Sequence, residues 1–548
     1  MIQKYLLFLF CSISSLLFAQ TENKLYKSIN EGLKEPLNVK RLSVAYKSYF
    51  FLPDTFKVFK NLEEVHFLKC RNLKLDSLFI VLSQFEKLKS LEVTWTKKQH
   101  IAGNIDLLKN LETISFRNNY LLDLPKSLAN LKNITEVNLE HNVPLDVKQA
   151  FGVLGQLKNL KRLDLSFIRI RKLPDEISKL TNLSYLDLSS NDFKTLPEGI
   201  KKLKQLNYLD LSQIFHPDID DFFNKLSGIK NLKTLKLDDC YFDEVPASIG
   251  KLVNLESLFL TSNRITALPA SIGNLTKLKE LHLGYRKVGH RMNRIDKLPA
   301  SFTNLVGLEY LDLSGNNLTR ISKQLDGLIN LEYLNLRWNR LFAMPGGIQY
   351  MKKLKYLNLN LNAIDTIPEW IGSCTELETF LMNAEFFTVF KNKVSALPSS
   401  FTKLAKLKTV SFVDQVIERL PADIGQLVQL EELDLMGNLL SELPESFTRL
   451  KKLQKLNLKA NELKSLPKNF GKMKNLEDLS LSFNVYLNFK IEAQKIALLS
   501  NLKNLDISFT WIGDEDVKMI KARLPDCKIY NKHFNDLKLR EKGAAFKK

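Results

Sequence analysis

Carboxylates recur at one position along this chain, and they are the residues with the clearest capacity for chemistry. Each follows an aliphatic residue in a repeated Leu-Asp pattern: Asp164, Asp187, Asp210, Asp312, Asp434 and Asp506. Carboxylates that lie close together can act as general acid and base. Because these aspartates recur at regular intervals, they instead indicate a repeated structural element. We predict no catalytic residues and no enzymatic activity.

Motifs for bound phosphate or metal are missing from the sequence. There is no G-x-x-x-x-G-K-[ST] and no H-E-x-x-H, the patterns that hold nucleotide phosphates and zinc. The seven histidines are scattered, and none lies at metal-ligand spacing from cysteine or carboxylate residues. We therefore predict neither a metal nor another cofactor.

Aromatic and polar residues near the middle of the chain favour binding. Tyr310, Tyr333 and Tyr356 are each 23 residues apart, with Arg337, Trp338 and Asn358 close by. Tyrosine, tryptophan and arginine are the residue types that dominate binding hot spots. The alternative is that the tyrosines only stack on one another and stabilise a sheet, as Tyr185 and Tyr208 could do elsewhere.

The element that must position these residues is a repeated phrase. Residues 430–452 read LEELDLMGNLLSELPESFTRLKK, and residues 453–475 read LQKLNLKANELKSLPKNFGKMKN. The first half alternates apolar and polar residues, which predicts a short strand, and the second half has helical spacing behind a proline. Twenty such units start between Val39 and Leu502, and 13 of the 19 steps are 23 residues long.

The phrase resembles the leucine-rich repeat family, in its 23-residue LPxxIxxLxxLxxLxLxxN form. The resemblance implies an α/β fold: a right-handed curved solenoid with a parallel β-sheet on the concave face and short helices or turns on the convex face. We expect an N-terminal capping helix in 20–38, about 20 repeats in 39–512, a C-terminal cap in 513–535 and a basic tail in 536–548. Four steps of 26 residues predict true helices on the convex side.

The consensus asparagine should form a buried polar ladder, because its amide can satisfy backbone groups where the chain leaves the strand. Losing it would leave a buried polar group unpaired, at about 1–3 kcal/mol. The structural ladder consists of Asn119, Asn191, Asn263, Asn316, Asn339, Asn362, Asn438 and Asn461. Asp312, by contrast, is predicted to be exposed and tolerant of substitution.

Two units of 30 residues carry insertions between the strand and the ladder position. The insertions fall in 284–292, which is basic and contains Arg286 and Arg291, and in 383–391, which is aromatic and contains Phe386 and Phe387. If the ladder resumes at Asn293 and Asn392, both insertions emerge at one lip of the concave face. They flank the three tyrosine-bearing repeats, which predicts a ligand clamped between them.

The first 19 residues resemble a bacterial secretory signal. Lys4 precedes a short apolar run that ends at Ala19, and the run is too short for a transmembrane helix. We therefore expect a secreted or cell-envelope protein without a transmembrane segment after signal removal. The rival is a cytoplasmic location, because the repeat type also resembles that of Ras-pathway scaffolds and plant disease-resistance proteins.

The net charge of +20 raises nucleic acid as a partner. The lysines, however, are spread over the connecting segments, which indicates a solvated outer face and no specific nucleic-acid binding. Our hypothesis is a non-enzymatic, exported protein that binds a macromolecule on its concave face. A protein partner comes first, with an acidic glycan or an anionic surface second. The alternatives are an intracellular signalling scaffold and a structural envelope component without a discrete ligand.

Overall fold

Short strands begin the repeats, and apolar residues inside each strand alternate with polar ones. The computed structural model describes residues 24–47, 49–97, 99–285, 292–384 and 391–532. Contacts divide the chain into two units, unit 1 from Met1 to Asp210 and unit 2 from Leu211 to Lys548. In every three-residue strand except the last, Lys528–Tyr530, the middle residue is buried, and its neighbours face the other way, as the pleat of a strand requires.

The strands of unit 1 form a parallel sheet in which each strand pairs with that of the next repeat. They are β1 (Leu25–Tyr26), β2 (Arg41–Ala45), β3 (Glu64–Leu68), β4 (Ser90–Thr94), β5 (Thr113–Ser115), β6 (Glu136–Asn138), β7 (Arg162–Asp164), β8 (Tyr185–Asp187) and β9 (Tyr208–Asp210).

Unit 2 repeats this parallel arrangement. Its strands are β10 (Thr234–Lys236), β11 (Ser257–Phe259), β12 (Glu280–His282), β13 (Tyr310–Asp312), β14 (Tyr333–Asn335), β15 (Tyr356–Asn358), β16 (Thr379–Leu381), β17 (Thr409–Ser411), β18 (Glu432–Asp434), β19 (Lys455–Asn457), β20 (Asp478–Ser480), β21 (Asn504–Asp506) and β22 (Lys528–Tyr530). We call the solvent side of each sheet its sheet face.

Short 3-10 helices form the layer behind the strands, and neighbouring ones pack on each other. In unit 1 they span Pro36–Asn38, Asp54–Val58, Ile105–Leu107, Lys126–Asn130, Asp175–Lys179 and Glu198–Lys202. In unit 2 they span Ala247–Lys251, Ala270–Asn274, Ala300–Asn304, Gly346–Tyr350, Glu369–Ser373, Ser399–Lys403, Ile424–Gln426, Glu445–Arg449 and Phe470–Lys472. Most begin directly after the consensus proline, whose fixed φ suits the start of a helical turn.

True α-helices replace the 3-10 turns in the 26-residue repeats, as predicted. They are α2 (Leu75–Leu82) and α3 (Val147–Leu154) in unit 1, and α4 (Ile219–Leu226) and α5 (Phe489–Ile496) in unit 2; α1 (Ile29–Gly32) and α6 (Asp514–Arg523) lie near the two ends. Asp146 and Asp218 cap α3 and α4, since their carboxylates accept the backbone N–H groups of Gln149 and Asp221 at 3.0 Å.

The two ends differ in how closely they follow the expectation. The expected capping helix in 20–38 is one turn, α1, preceded by β1; Ile29 is buried, whereas Leu25 and Leu33 are exposed. At the other end, α6 and β22 lie within the expected C-terminal cap of 513–535.

The core of each unit consists of the consensus leucines, stacked from one repeat to the next and almost fully buried. The α/β solenoid class, with a parallel sheet backed by short helices and turns, is confirmed. Among the residues that the structure describes, no helix is long and apolar enough to cross a membrane.

Candidate functional site

Three tyrosines come together on the sheet face of unit 2. Tyr310, Tyr333 and Tyr356 are the first residues of β13, β14 and β15, and the parallel register pairs them with one another. Each precedes a fully buried leucine, so the tyrosine side chains lie on the solvent side. Their rings stack almost parallel, with centroids 4.2 Å apart for Tyr310 and Tyr333 and 4.3 Å apart for Tyr333 and Tyr356.

The stack is longer than the sequence predicts. The ring of His282 lies 4.5 Å from that of Tyr310, and the ring of Phe259 lies 4.1 Å from that of His282. The Lys236 ammonium stands over the far face of Phe259, 5.1 Å from its centroid. We call the five rings of Phe259, His282, Tyr310, Tyr333 and Tyr356 the aromatic ladder.

Sequence reasoning missed Phe259 and His282 because it considered only the three repeats between the two insertions. They are the third residues of β11 and β12, whereas the tyrosines are the first residues of their strands. First and third residues of a strand share a face, so rings at the two positions can still meet. An aromatic residue or histidine at either position of consecutive repeats is the signal that would have found them.

Ring stacking limits what a ligand can touch. The face of each inner ring is covered by its neighbour, so an approaching molecule meets ring edges and hydroxyl groups. Burial raises the pKa of all three tyrosines, because it disfavours the phenolate. Their hydroxyls therefore stay protonated at neutral pH and can donate hydrogen bonds.

Polar residues run beside the ladder on the same face. Asp312, Asn335 and Asn358 are the third residues of their strands and are paired in register. Asn358 is buried, and its amide donates to the Tyr356 hydroxyl at 3.2 Å. Arg337 lies two residues beyond Asn335 and is half-buried. Burial raises the pKa of the Asp312 carboxyl, although hydrogen bonds from Ser314 oppose the shift.

The repeated aspartate has a local structural role that explains its recurrence. Its carboxylate accepts the backbone N–H of the residue two positions later, as Asp312 does from Ser314 at 2.8 Å. The same bond occurs at Asp164, Asp187, Asp434 and Asp506, and Asn335 makes it in β14. The prediction that Asp312 is a freely exposed position is therefore wrong: it is half-buried and caps the strand end.

Trp338 lies at the lip of the sheet face, next to the ladder. Its backbone is left-handed, with φ of 57°, and its ring meets the ring of Tyr285 edge-on at 5.2 Å. Gly315, with φ of 66°, lies beneath Tyr285, and a Cβ there would stand 2.6 Å from the tyrosine ring. The close approach of Tyr285 requires glycine at this position, whereas the left-handed backbone alone does not, since Trp338 adopts it in the next repeat.

The insertions leave the strand where the sequence predicts. The asparagine ladder resumes at Asn293, whose side-chain oxygen accepts the Ile265 N–H at 3.0 Å, and at Asn392, whose side-chain oxygen accepts the Ile364 N–H at 3.0 Å. The insertion residues proposed as ligand contacts lie outside the described residues: Arg286, Arg291, Phe386 and Phe387. The structure thus brings the tyrosines, Arg337, Trp338 and Asn358 onto one surface and leaves the loop contacts as predictions.

The predicted ladder asparagines lie in buried rows within each unit. The Asn339 amide nitrogen donates to the carbonyls of Leu313 and Leu336, at 2.9 and 3.0 Å, and its oxygen accepts the Leu318 N–H at 3.1 Å. Equivalent bonds are made by Asn119, Asn191, Asn263, Asn316, Asn362, Asn438 and Asn461. One side chain therefore joins two successive repeats.

Cysteine can take the same place. Cys240 donates its thiol to the carbonyl of Leu211 at 3.3 Å, and Cys70 donates to Val44 at 3.4 Å. The four cysteines of the described chain are buried. Within the same residues, no group of three or more histidine, cysteine or carboxylate side chains is placed to hold a metal ion.

Comparison with known proteins gives a family match and several similar folds. The family model described as a leucine-rich repeat region matches residues 136–227, 218–344 and 398–527. A leucine-rich repeat protein of Leptospira interrogans is 25% identical, with a TM-score of 0.52 over 93% of this chain and 100% of that one. No curated protein sequence matches.

Two further structures, with lower sequence identity to this chain, show the same fold. TLR13, solved in a complex with ssRNA13, is 22% identical with a TM-score of 0.60, over 91% of this chain and 68% of that one. A chain of the Toll–Spatzle complex of Drosophila is 20% identical with a TM-score of 0.54, over 89% of this chain and 60% of that one.

Proposed function

Because this chain belongs to the leucine-rich repeat family, we propose that it is a protein-binding module and that its partner docks on the aromatic ladder and the neighbouring lip of unit 2. The proposal rests on the aromatic ladder, whose five rings stack on one another and present their edges to solvent. The predicted contacts Tyr310, Tyr333, Arg337, Trp338, Tyr356 and Asn358 all belong to this surface.

Preorganisation makes the ladder suited to binding. A side chain that becomes ordered only on binding loses conformational entropy, at about 0.5–1.5 kcal/mol each. The stacked rings are already ordered, and each inner ring is held from both sides. Aromatic residues and arginine are also the usual anchors of protein interfaces. The stack therefore stabilises the sheet and also provides a rigid contact surface, so the two interpretations of the tyrosines are compatible.

The charge of this surface favours a protein over an acidic glycan. The Asp312 carboxylate lies among the tyrosines, in register with Asn335 and Asn358. A polyanion would bring like charges together at the centre of the contact, which is unfavourable. Tyrosine hydroxyls and asparagine amides, in contrast, suit the mixed donors and acceptors of a polypeptide. The proposal includes no catalytic residue. The repeated aspartates accept hydrogen bonds from backbone N–H groups and so have a structural role.

We also propose that the protein acts outside the cytoplasm. Support comes from the sequence of residues 1–19, which lie outside the described residues and have the order of a secretory signal: a charged start, a short apolar run and a small residue. A secreted or envelope location suits a recognition module. A cytoplasmic scaffold is the rival location.

Site-specific photo-cross-linking tests the docking surface. The photoreactive residue p-benzoylphenylalanine is placed at Trp338 and, as a matched control, at Tyr350, which is exposed in the 3-10 helix Gly346–Tyr350. Intact cells that produce each variant are irradiated. We expect a discrete protein adduct from position 338 and none from position 350.

A second substitution makes the result specific to the ladder. Tyr333→Ala in the Trp338-labelled chain should remove the adduct, while thermal unfolding and circular dichroism check that the chain is still folded. Adducts of equal yield from both labelled positions, or an adduct indifferent to Tyr333→Ala in a folded chain, would contradict docking on this surface.

A further inference from the structure

Carboxylates line a concavity on the sheet face of the last repeats, away from the aromatic ladder. The cavity has a volume of about 380 Å³ and lies across β18 to β22. Four carboxylates line it, those of Glu432, Asp434, Asp478 and Asp506, and one lysine, Lys455. We call it the terminal groove.

The charge of the terminal groove opposes that of the whole chain. The protein carries a formal net charge of +20, whereas the charged residues of this groove are mainly acidic. Lys455 is exposed and lies 4.0 Å from Glu432, which leaves the other three carboxylates without a cation among the groove residues. Burial raises the pKa of the Asp434 carboxyl, because it disfavours the charged form.

The carboxylates are spaced along the groove and are not gathered at one point. Asp434 ends β18, Asp478 begins β20 and Asp506 ends β21, so adjacent groups are about 5–10 Å apart at the spacing of a parallel sheet. Across the described residues no carboxylate group has the arrangement of a metal site. Several separate positive charges on one flexible chain match this spacing better than a single ion does.

Aromatic residues form the lip directly beside the groove. Phe483 follows β20 by three residues and Phe509 follows β21 by three; their rings stack at 4.5 Å. Trp511 lies two residues further on and is 71% exposed. The Lys459 ammonium already stands 5.5 Å from the centroid of Phe483, which shows that these rings accept a cation by a cation–π contact.

We propose that the terminal groove is a second docking surface, for an extended lysine- or arginine-rich segment of a partner protein. Carboxylates on β18, β20 and β21 pair with the basic side chains, and the exposed ring of Trp511 stacks against a guanidinium group. Five strands span roughly 20 Å, the length of about six extended residues. Arginine binds more tightly than lysine here, because its planar group forms bidentate pairs with carboxylates and stacks on rings.

Fluorescence anisotropy of labelled nona-arginine with the full chain tests the groove. The test variant is Asp478→Asn with Asp506→Asn, which removes two charges and keeps the shape; Asn335 shows that an asparagine can cap the strand end in place of aspartate. The control is Asp164→Asn in unit 1, at the same strand position as Asp506 and with the same bond to a serine two residues later. We expect saturable binding that weakens at least tenfold in the test variant and less than twofold in the control.

Further probes distinguish binding in the terminal groove from nonspecific electrostatic attraction to the rest of the chain. Nona-lysine should bind more weakly than nona-arginine, and Trp511→Ala, at an exposed position, should reduce that difference. Absence of saturable nona-arginine binding, or equal weakening by Asp164→Asn and by the test variant, would overturn the proposal. Binding that occurs only after removal of residues 533–548 would also overturn it, because the occupant would then be this chain's own basic segment and not a partner.

Discussion

The imidazole of His282 stacks on the ring of Tyr310, although the strand register places His282 opposite Asp312. The contact is diagonal and joins two rows of residues on one sheet face, the first and the third strand positions. It extends the tyrosine stack by two rings, to Phe259. The surface proposed for docking therefore spans five strands, from β11 to β15.

Tyr333 should contribute to folding through its ring and to binding through its hydroxyl group. Tyr333→Ala removes two stacked contacts and should lower the free energy of unfolding by about 1–3 kcal/mol. Tyr333→Phe keeps both contacts and should lower it by less than about 1 kcal/mol. Urea denaturation followed by circular dichroism measures both effects. A larger loss in the phenylalanine variant would show that the hydroxyl group, and not the stack, orders the ladder.

Asn339 should be far less tolerant of substitution than Asp312. Asn339→Leu leaves two carbonyls and one N–H without their partner in a buried place, and should cost about 1–3 kcal/mol of unfolding free energy. Asp312→Asn should cost less than about 0.5 kcal/mol, because an amide oxygen can still accept the Ser314 N–H. Chemical denaturation of the two variants provides the comparison. Equal losses would mean that the Asn339 bonds contribute little.

His66 should make unit 1 less stable in alkali. Burial lowers the pKa of His66, but its hydrogen bonds to Glu64 and Glu92 outweigh burial and raise the pKa to about 9. The folded state therefore binds the proton more tightly than the unfolded state, whose pKa is about 6.5. Protonated His66 therefore adds up to about 3 kcal/mol to the free energy of unfolding of unit 1. This contribution is complete below pH 6.5 and is lost as the pH rises through 9.

Urea titrations at several pH values between 6 and 10 check this dependence. His66→Gln should flatten the fall of unfolding free energy in that window. The control is His100→Gln, since His100 is exposed in unit 1 and should leave the fall unchanged. A wild-type chain whose stability is constant between pH 6.5 and 9 would show that His66 is not charged in the folded protein.

Export predicts a defined mature N-terminus. Cleavage after Ala19 should leave Gln20 as the first residue of protein recovered from the medium or the envelope fraction. N-terminal sequencing of each cell fraction is the measurement. An intact Met1 on protein from the soluble cytoplasm would favour the intracellular scaffold.

Features that depend on one repeat and its neighbour could be predicted from the sequence alone. The strand starts, the true helices of the 26-residue repeats and the resumption of the ladder at Asn293 and Asn392 followed from spacing. The reason is physical: a repeat contacts only adjacent repeats, so the same residues must return at the same place to bury their leucines and pair their backbone groups.

Features that depend on side-chain direction across several strands were decided by the tertiary structure. The diagonal contact of His282 with Tyr310 joins different repeat positions, which no period in the sequence relates, and the half-burial of Asp312 depends on the neighbouring strands. Trp338 and Tyr285 hold the same repeat position two repeats apart, and they meet because the small Gly315 lies at that position in the repeat between them. The sequence thus determined the repeated frame, and tertiary packing decided which of its exposed residues form one surface.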